Sequence, residues 1–232
     1  GNHTIHLVRR NVDSQVLLFN NRIYGLTKGQ YSPTTAPGKV TKSSPMGSLD
    51  HPFEPLELVL GAQGTFVARA VDTYPKELRQ VLIEAEGHAG TSYVEILQNC
   101  VIFNDKVFDN VVNRKVRDEK VIFLEHGQPM TFGAKDAPKG LRLNGLEIEV
   151  IELGGEFTEA DCLVHDKTSK ALANILVQLD YPEYPVPLGV LYQTERPTYN
   201  DILHDQINEA VEKKGKGNLR DLIYSGQTWT VE

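Results

Sequence analysis

Cysteine is scarce in this 232-residue chain: there are two, Cys100 and Cys162. Two thiols make no disulfide framework, and they cannot alone complete the sets of about four ligands that zinc or an iron–sulfur cluster takes. Positive charge is also short. Lysine and arginine number 24 against 31 aspartates and glutamates, a formal net charge of −7. That balance argues against the basic face needed for broad nucleic-acid binding. No apolar run reaches the roughly 18 residues that would suggest a membrane span. No secretory signal pattern opens the chain, and no internal repeat is found. These absences leave a globular protein of the cytoplasm, with no nucleic acid and no membrane as partner. A composition 40% hydrophobic and 24% charged is ordinary for that class.

The chain is long enough to bury a core as one large domain, or as one domain and an appendage. Gly1-Asn2-His3 runs directly into helical spacing with no capping residue ahead of it, so the chain is expected to begin inside a longer fold. Ile5, Val8 and Val12 predict a helix over residues 2–11. Residues 15–19 read as a strand covered on both faces, as in a parallel sheet. Residues 21–53 are rich in Gly, Pro, Ser and Thr, and a loop of this length is functional or disordered. A strand follows over 65–70. A helix from about Pro75 to Glu86 comes next, capped by Asp72 or Thr73 and striped by Leu78, Val81, Leu82 and Ala85. A strand over 92–100 completes a βαβ unit, so the sheet is expected to be mostly parallel. The texture changes after residue 130. "LRLNGLEIEV" predicts a hairpin about Asn144-Gly145, and a helix opens near Thr168 or Ser169. Residues 181–197 are proline-rich and read as extended on a surface or a partner. A last helix runs over 199–214 and closes on Lys213-Lys214-Gly215.

In parallel sheets ligands sit beyond the carboxyl ends of the strands, where Asn20-Asn21 and Asn99-Cys100 fall. A neutral amide oxygen suits Mg²⁺ beside a diphosphate; the plainer reading is an Asn-rich turn closed by its own side chains. Downstream, "YGLTKGQ" adds glycines that admit a ligand to the backbone and Lys28 as a charge for phosphate or carboxylate. Cys100 is a thiol at a strand end, or a small buried hydrophobe. Cys162, His3 and His6 read as structural.

Three stretches carry a resemblance. "GNHTIHLVRRNVDSQVLLFNNRIYGLTKGQYSPTT", "FEPLELVLGAQGTFVARAVD" and "YVEILQNCVIFND" closely resemble the β subunit of 2-oxoacid:ferredoxin oxidoreductases, and "PVPLGVLYQTERPTY" is similar to that subunit's end. The resemblance runs from residue 1 to about 105. It implies an α/β thiamine diphosphate-binding fold, doubly wound about a mostly parallel sheet, with a carboxy-terminal extension. Residues 1–130 would be the carboxy-terminal part of the thiamine diphosphate-binding domain, and 131–232 an extension of hairpin and helices. On the family's pattern Asn21 and the backbone carbonyl of Ile23 bind Mg²⁺. Asn20, Gly25 and Leu26 meet thiamine diphosphate, Lys28 meets the substrate, and Cys100 is one ligand of a [4Fe-4S] cluster.

The family's Gly-Asp-Gly and its Cys-x-x-Cys and third cysteine would lie upstream of Gly1, so the chain reads as a carboxy-terminal portion that alone binds neither cofactor well. The glutamate that activates the cofactor belongs to an α subunit, so this chain carries no catalytic residue of its own. The activity implied is oxidative decarboxylation of 2-oxoglutarate with coenzyme A, giving succinyl-CoA, CO₂ and reduced ferredoxin. Pyruvate or a broad 2-oxo acid range is the alternative within the class. A non-catalytic subunit or assembly module is the alternative outside it.

Overall fold

Strands enclosed on both faces lose the alternation of polar and apolar residues, and the middle of this sheet does so. The computed structural model describes residues 1–113 and 115–231. Its elements, in chain order, are α1 (Asn2–Arg9), β1 (Ser14–Asn20), α2 (Pro55–Gly61), β2 (Phe66–Val71), α3 (Pro75–Glu86) and β3 (Thr91–Leu97). The short α4 (Asp109–Val112) and α5 (Arg117–Lys120) follow, then β4 (Val121–Phe123), β5 (Thr131–Ala134), β6 (Ala137–Asn144) and β7 (Glu147–Glu152). The chain ends with α6 (Lys170–Leu176), β8 (Val186–Gln193), α7 (Tyr199–Lys214) and α8 (Leu219–Ile223). Every residue of β2 and β3 is buried.

Five strands form the large sheet in the order β1-β3-β2-β8-β4. β1 and β2 flank β3 in parallel, β4 runs parallel to β8, and β2 meets β8 antiparallel. The sheet is thus mostly parallel, as expected, with one reversal. Helices cover both faces. Val67 and Tyr93 pack with Val8 of α1, Leu56, Val59 and Leu60 of α2, and Leu176 of α6. Phe66, Ala68, Val94 and Ile96 pack on the other face with Val81 and Ala85 of α3. At about 1.5–3 kcal/mol for each fully buried large apolar side chain, these two layers supply most of the drive to fold.

α3 starts and stops where its spacing predicts, but neither expected cap works. Tyr74 holds the N-cap position without a side-chain bond, and Pro75 in the first turn suffices because its missing N–H would have had no partner there. The hairpin of β6 and β7 turns at Gly145-Leu146, one residue later than expected. Gly145 takes a φ of +67°, which glycine reaches without strain. His3 and His6 lie exposed on α1 and pack into no core.

The largest departure is β8. Residues 181–197, expected to lie extended on a surface or a partner, place a buried strand inside the large sheet. Pro187 is tolerated because β2 pairs only with Gly189–Gln193, while Pro187 lies opposite Ile122 of β4. After β4 the chain therefore leaves the large sheet, builds the small antiparallel sheet β5-β6-β7, and returns. Met130, Leu141 and Ile148 join the same apolar cluster as α1 and α2, so both sheets share one core. α7, by contrast, has no buried residue. Among the described residues no helix is long and apolar enough to cross a membrane.

Two core histidines make the fold sensitive to acid. His165 is 1% exposed. Its Nε2 donates to the Val190 carbonyl at 2.9 Å, and Nδ1 finds no partner among the described residues. His88 is buried with Nε2 2.9 Å from Thr65 Oγ1. Burial pushes both pKa values below the ordinary 6.5. The unfolded chain then takes up these protons first, so their stability contribution is intact above pH 6.5 and is lost as pH falls below it. The urea midpoint should drop between pH 7 and pH 5, and His88→Gln with His165→Gln should flatten that slope. A slope unchanged in the double variant would place the titration elsewhere.

Candidate functional site

Side chains of a strand alternate between its faces, so Val16, Leu18 and Asn20 of β1 share one. Val16 and Leu18 pack against the α1/α2 cluster. Asn20 continues the row at 6% exposure and faces no apolar group. Its Nδ2 donates to Glu95 Oε1 at 2.7 Å. Arg69 Nε donates to the other oxygen, Glu95 Oε2, at 2.8 Å. Asn20, Glu95 and Arg69 thus form a polar row across β1, β3 and β2. Both charged side chains are nearly inaccessible, at 3% for Glu95 and 7% for Arg69. Glu95's charge acts on its neighbours. Burial and Glu95 together push the Tyr93 phenol up to about 12 and raise the Glu54 carboxyl.

Beyond Asn20 the backbone turns twice on asparagine side chains. Asn20 Oδ1 accepts from Arg22 N at 3.1 Å, and Asn21 Oδ1 from Ile23 N at 3.3 Å. The plainer reading of the dipeptide, a turn closed by its own amides, is therefore present. It does not exhaust the turn. Arg22 has a φ of +52°, which costs a residue with a side chain of order 1–3 kcal/mol. Thr34 Oγ1 donates to Asn20 Oδ1 at 2.8 Å, and Thr35 Oγ1 to the Arg22 carbonyl at 2.7 Å. Asn104 Nδ2 donates to the carbonyls of both Asn21 and Arg22 at 3.1 Å. Backbone strain so heavily braced is characteristic of functional turns. Ile23 is a buried residue, and its carbonyl accepts no hydrogen bond among the described residues.

From Tyr24 to Gln30 the chain makes an outward loop closed by Tyr24 N on the Gln30 carbonyl at 2.8 Å. Leu26 is 98% exposed. Lys28 is exposed and takes a φ of +62°; no ion pair ties it among the described residues. Gly29 has a φ of +94°, and a Cβ there would stand 3.0 Å from the Phe103 ring. The loop thus abuts the segment after β3 that carries Cys100. Asn104 N bonds the Cys100 carbonyl at 2.9 Å while its side chain grips Asn21 and Arg22. The structure therefore brings Asn20, Asn21, Ile23, Gly25, Leu26, Lys28 and Cys100 to one end of the sheet.

Cys100 is partly exposed and Cys162 buried. Gly140 packs so closely on Cys162 that a Cβ there would stand 2.2 Å from its Sγ, which makes Cys162 a core residue. Among the described residues no group of three or more His, Cys, Asp or Glu is placed to hold a metal. Cys100 offers one thiolate only, and these residues do not by themselves fit a cluster.

Sequence reasoning missed Arg69, Glu95, Thr34 and Asn104. It also missed a cleft of about 370 Å³ beside the turn, lined by Arg22, Glu54, Glu57, Arg69, Glu95 and Asp180 among others. Arg22 pairs with Asp180 at 3.6 Å and Arg69 with Glu95 at 2.8 Å, which leaves Glu54 and Glu57 as the cleft's further carboxyls. A diphosphate beside it would need a metal ion as counter-charge.

Comparison with known proteins gives the setting. Residues 1–96 match the family model of the thiamine pyrophosphate enzyme C-terminal TPP binding domain. The whole chain is 45% identical to the 2-oxoglutarate oxidoreductase subunit KorB of Mycobacterium tuberculosis, and covers 63% of that protein. Over 43% of its length it is 41% identical to the 2-oxoglutarate synthase subunit KorB of Archaeoglobus fulgidus, covering 38% of it. The fold superposes, with a TM-score of 0.69 and 27% identity, on a 2-oxoglutarate:ferredoxin oxidoreductase from Magnetococcus marinus solved with 2-oxoglutarate, coenzyme A and succinyl-CoA bound. That likeness covers 98% of this chain and 63% of the other. The chain thus spans a little under two thirds of the Mycobacterium tuberculosis subunit and of the Magnetococcus marinus chain. Residues 1–96 thus resemble the thiamine pyrophosphate-binding domain of that family model, and the chain as a whole is similar to a 2-oxoglutarate oxidoreductase subunit KorB.

Proposed function

We propose that the chain serves as β subunit in a 2-oxoglutarate:ferredoxin oxidoreductase, and that the segment from Asn20 to Lys28 holds Mg²⁺ and thiamine diphosphate. One observation carries this reading: a strained, braced turn with free oxygen donors, at the carboxyl end of β1 inside the matched thiamine pyrophosphate-binding region. The donors fit the ion. Asn21 Oδ1 accepts a single long bond, the Ile23 carbonyl accepts none among the described residues, and Mg²⁺ takes hard neutral oxygens alongside phosphate. Asn20 gives its amide to Glu95, Arg22 and Thr34, and so shapes the cofactor site. Gly25 and Leu26 offer backbone and an exposed side chain to the cofactor's body. When bound, thiamine diphosphate supplies the nucleophilic carbon by which a 2-oxo acid is decarboxylated.

Of the remaining parts, 2-oxoglutarate, coenzyme A and succinyl-CoA follow what the similar proteins are named for; the α subunit, the cluster and the cytoplasmic setting follow the resemblance in sequence. 2-Oxoglutarate gives up CO₂, coenzyme A takes the acyl group as succinyl-CoA, and the electrons leave to ferredoxin. An α subunit completes the active site. Cys100 supplies one ligand of an iron–sulfur cluster whose other ligands lie outside the described residues. The setting is cytoplasmic. Lys28 is the specificity residue, because 2-oxoglutarate carries a second carboxylate that needs a cation once it is desolvated, and Lys28 is a cation with no partner among the described residues.

Three outcomes test the assignment in the assembled enzyme. Asn21→Ala should lose thiamine diphosphate on gel filtration with little change in Tm; a mere turn residue would keep the cofactor. Cys100→Ala should lower iron content where Cys162→Ala does not, and equal iron in the two would remove Cys100 as a ligand. A charge-assisted contact contributes about 1.5–3 kcal/mol, so Lys28→Gly should lower kcat/KM for 2-oxoglutarate about tenfold to a hundredfold while pyruvate changes little. A parallel fall for both substrates would show that Lys28 does not select between them.

A further inference from the structure

We propose that Glu95 is a positioning residue for the metal-binding turn, acting through the side chain of Asn20. The inference rests on the reading that Asn21 and Ile23 hold a divalent cation. It begins with the polarity of hydrogen bonds. An ionised carboxylate only accepts. With Arg69 Nε on one oxygen at 2.8 Å, the other oxygen of Glu95 is presented to Asn20, which meets it with Nδ2 at 2.7 Å. An amide that donates from one end must accept at the other. Asn20 Oδ1 is thereby aimed at Arg22 N and Thr34 Oγ1. The bond to Arg22 N holds the left-handed backbone at Arg22, the residue between Asn21 and Ile23. The orientation of a buried acid in β3 thus fixes where the two oxygen donors stand.

The same logic gives a substitution that alters polarity and barely alters volume. In Glu95→Gln the new amide meets Arg69 Nε with its oxygen, since Arg69 can only donate. Its nitrogen then faces Asn20, which turns its own oxygen inward and leaves Nδ2 against Arg22 N–H. Two donors confront each other, and the turn is released. Combining Glu95→Gln with Asn20→Asp reverses the pattern. The amide nitrogen at position 95 donates to one oxygen of the new carboxylate at position 20, and its other oxygen again accepts from Arg22 N. Total charge in the row is conserved. A purely structural role for Glu95, as counter-ion to the buried Arg69, predicts that the relocated charge restores Tm without restoring metal affinity.

The test is binding, measured in the assembled enzyme without substrate. Mn²⁺ replaces Mg²⁺ as the probe, its affinity is read by electron paramagnetic resonance in the presence of thiamine diphosphate, and Tm is recorded for each protein. Glu95→Gln should weaken Mn²⁺ about tenfold or more, and Asn20→Asp/Glu95→Gln should recover most of that loss. Wild-type affinity in Glu95→Gln would overturn the inference. So would a double variant that regains the Tm but not the affinity, or one that binds no better than the single variant. If Glu95→Gln does not fold, the double variant alone decides: near wild-type affinity supports the inference, and weak affinity in a folded protein overturns it. Asn21→Ala runs alongside. Should it bind Mn²⁺ normally, the metal reading itself fails. Should it lose Mn²⁺ while Glu95→Gln keeps it, only the role of Glu95 fails.

Discussion

The Arg69–Glu95 pair is the constraint on which the rest of this structure depends. Two opposite charges taken almost wholly out of water are costly to bury, and removing either partner leaves an uncompensated charge. The fold accepts that cost at one place, on the face of the sheet that otherwise carries its largest apolar cluster. On one side of the pair, Val67 and Tyr93 belong to the layer with α1 and α2. On the other, Val71 and Leu97 join Phe108, Val121 and Val186. The polar row divides these two hydrophobic layers and meets β1 at the residue where the strand ends.

That placement explains why the turn can hold an unfavourable conformation. Strain at Arg22 persists because its N–H is held by the neighbouring Asn20 side chain and its carbonyl by side chains from elsewhere in the chain. Asn20 leans on the pair, Thr34 and Thr35 come from the loop downstream, and Asn104 comes from the segment after β3. The long loop of residues 21–53 is therefore ordered at its start by hydroxyl groups that look, in sequence, like generic loop residues. The cleft beside it is lined by Glu54 and Glu57 as well as by the Arg22–Asp180 and Arg69–Glu95 pairs.

The sequence made legible the features set by local rules. α3 and α7 follow the apolar spacing and the Gly215 stop, and the parallel pairing of β1, β2 and β3 follows from the βαβ spacing. Asn20, Asn21 and Cys100 were singled out because strand ends are where such sheets bind ligands. What escaped were features set by distant partners. In "FVARAV" and "TSYVEIL" a charged residue at an alternate position reads as a solvent face, yet both strands are buried throughout, because Arg69 and Glu95 neutralise each other across two strands. Pro187 and Pro185 disguised β8, since a proline argues against a central strand unless its neighbour ladder happens to stop short. Thr34 and Asn104 carry no local signature at all.

β1 has one more property. Among the described residues it ends the order of the large sheet and pairs with β3 alone, so one side of its backbone is left without a strand partner there. Leu17 and Phe19 are 41% and 55% exposed on its outer face. Edge strands are normally guarded by proline, lysine or a bulge. Gln15–Phe19 contain neither residue, and their register with β3 is unbroken. The strand that carries the asparagine turn is therefore also a template for strand addition.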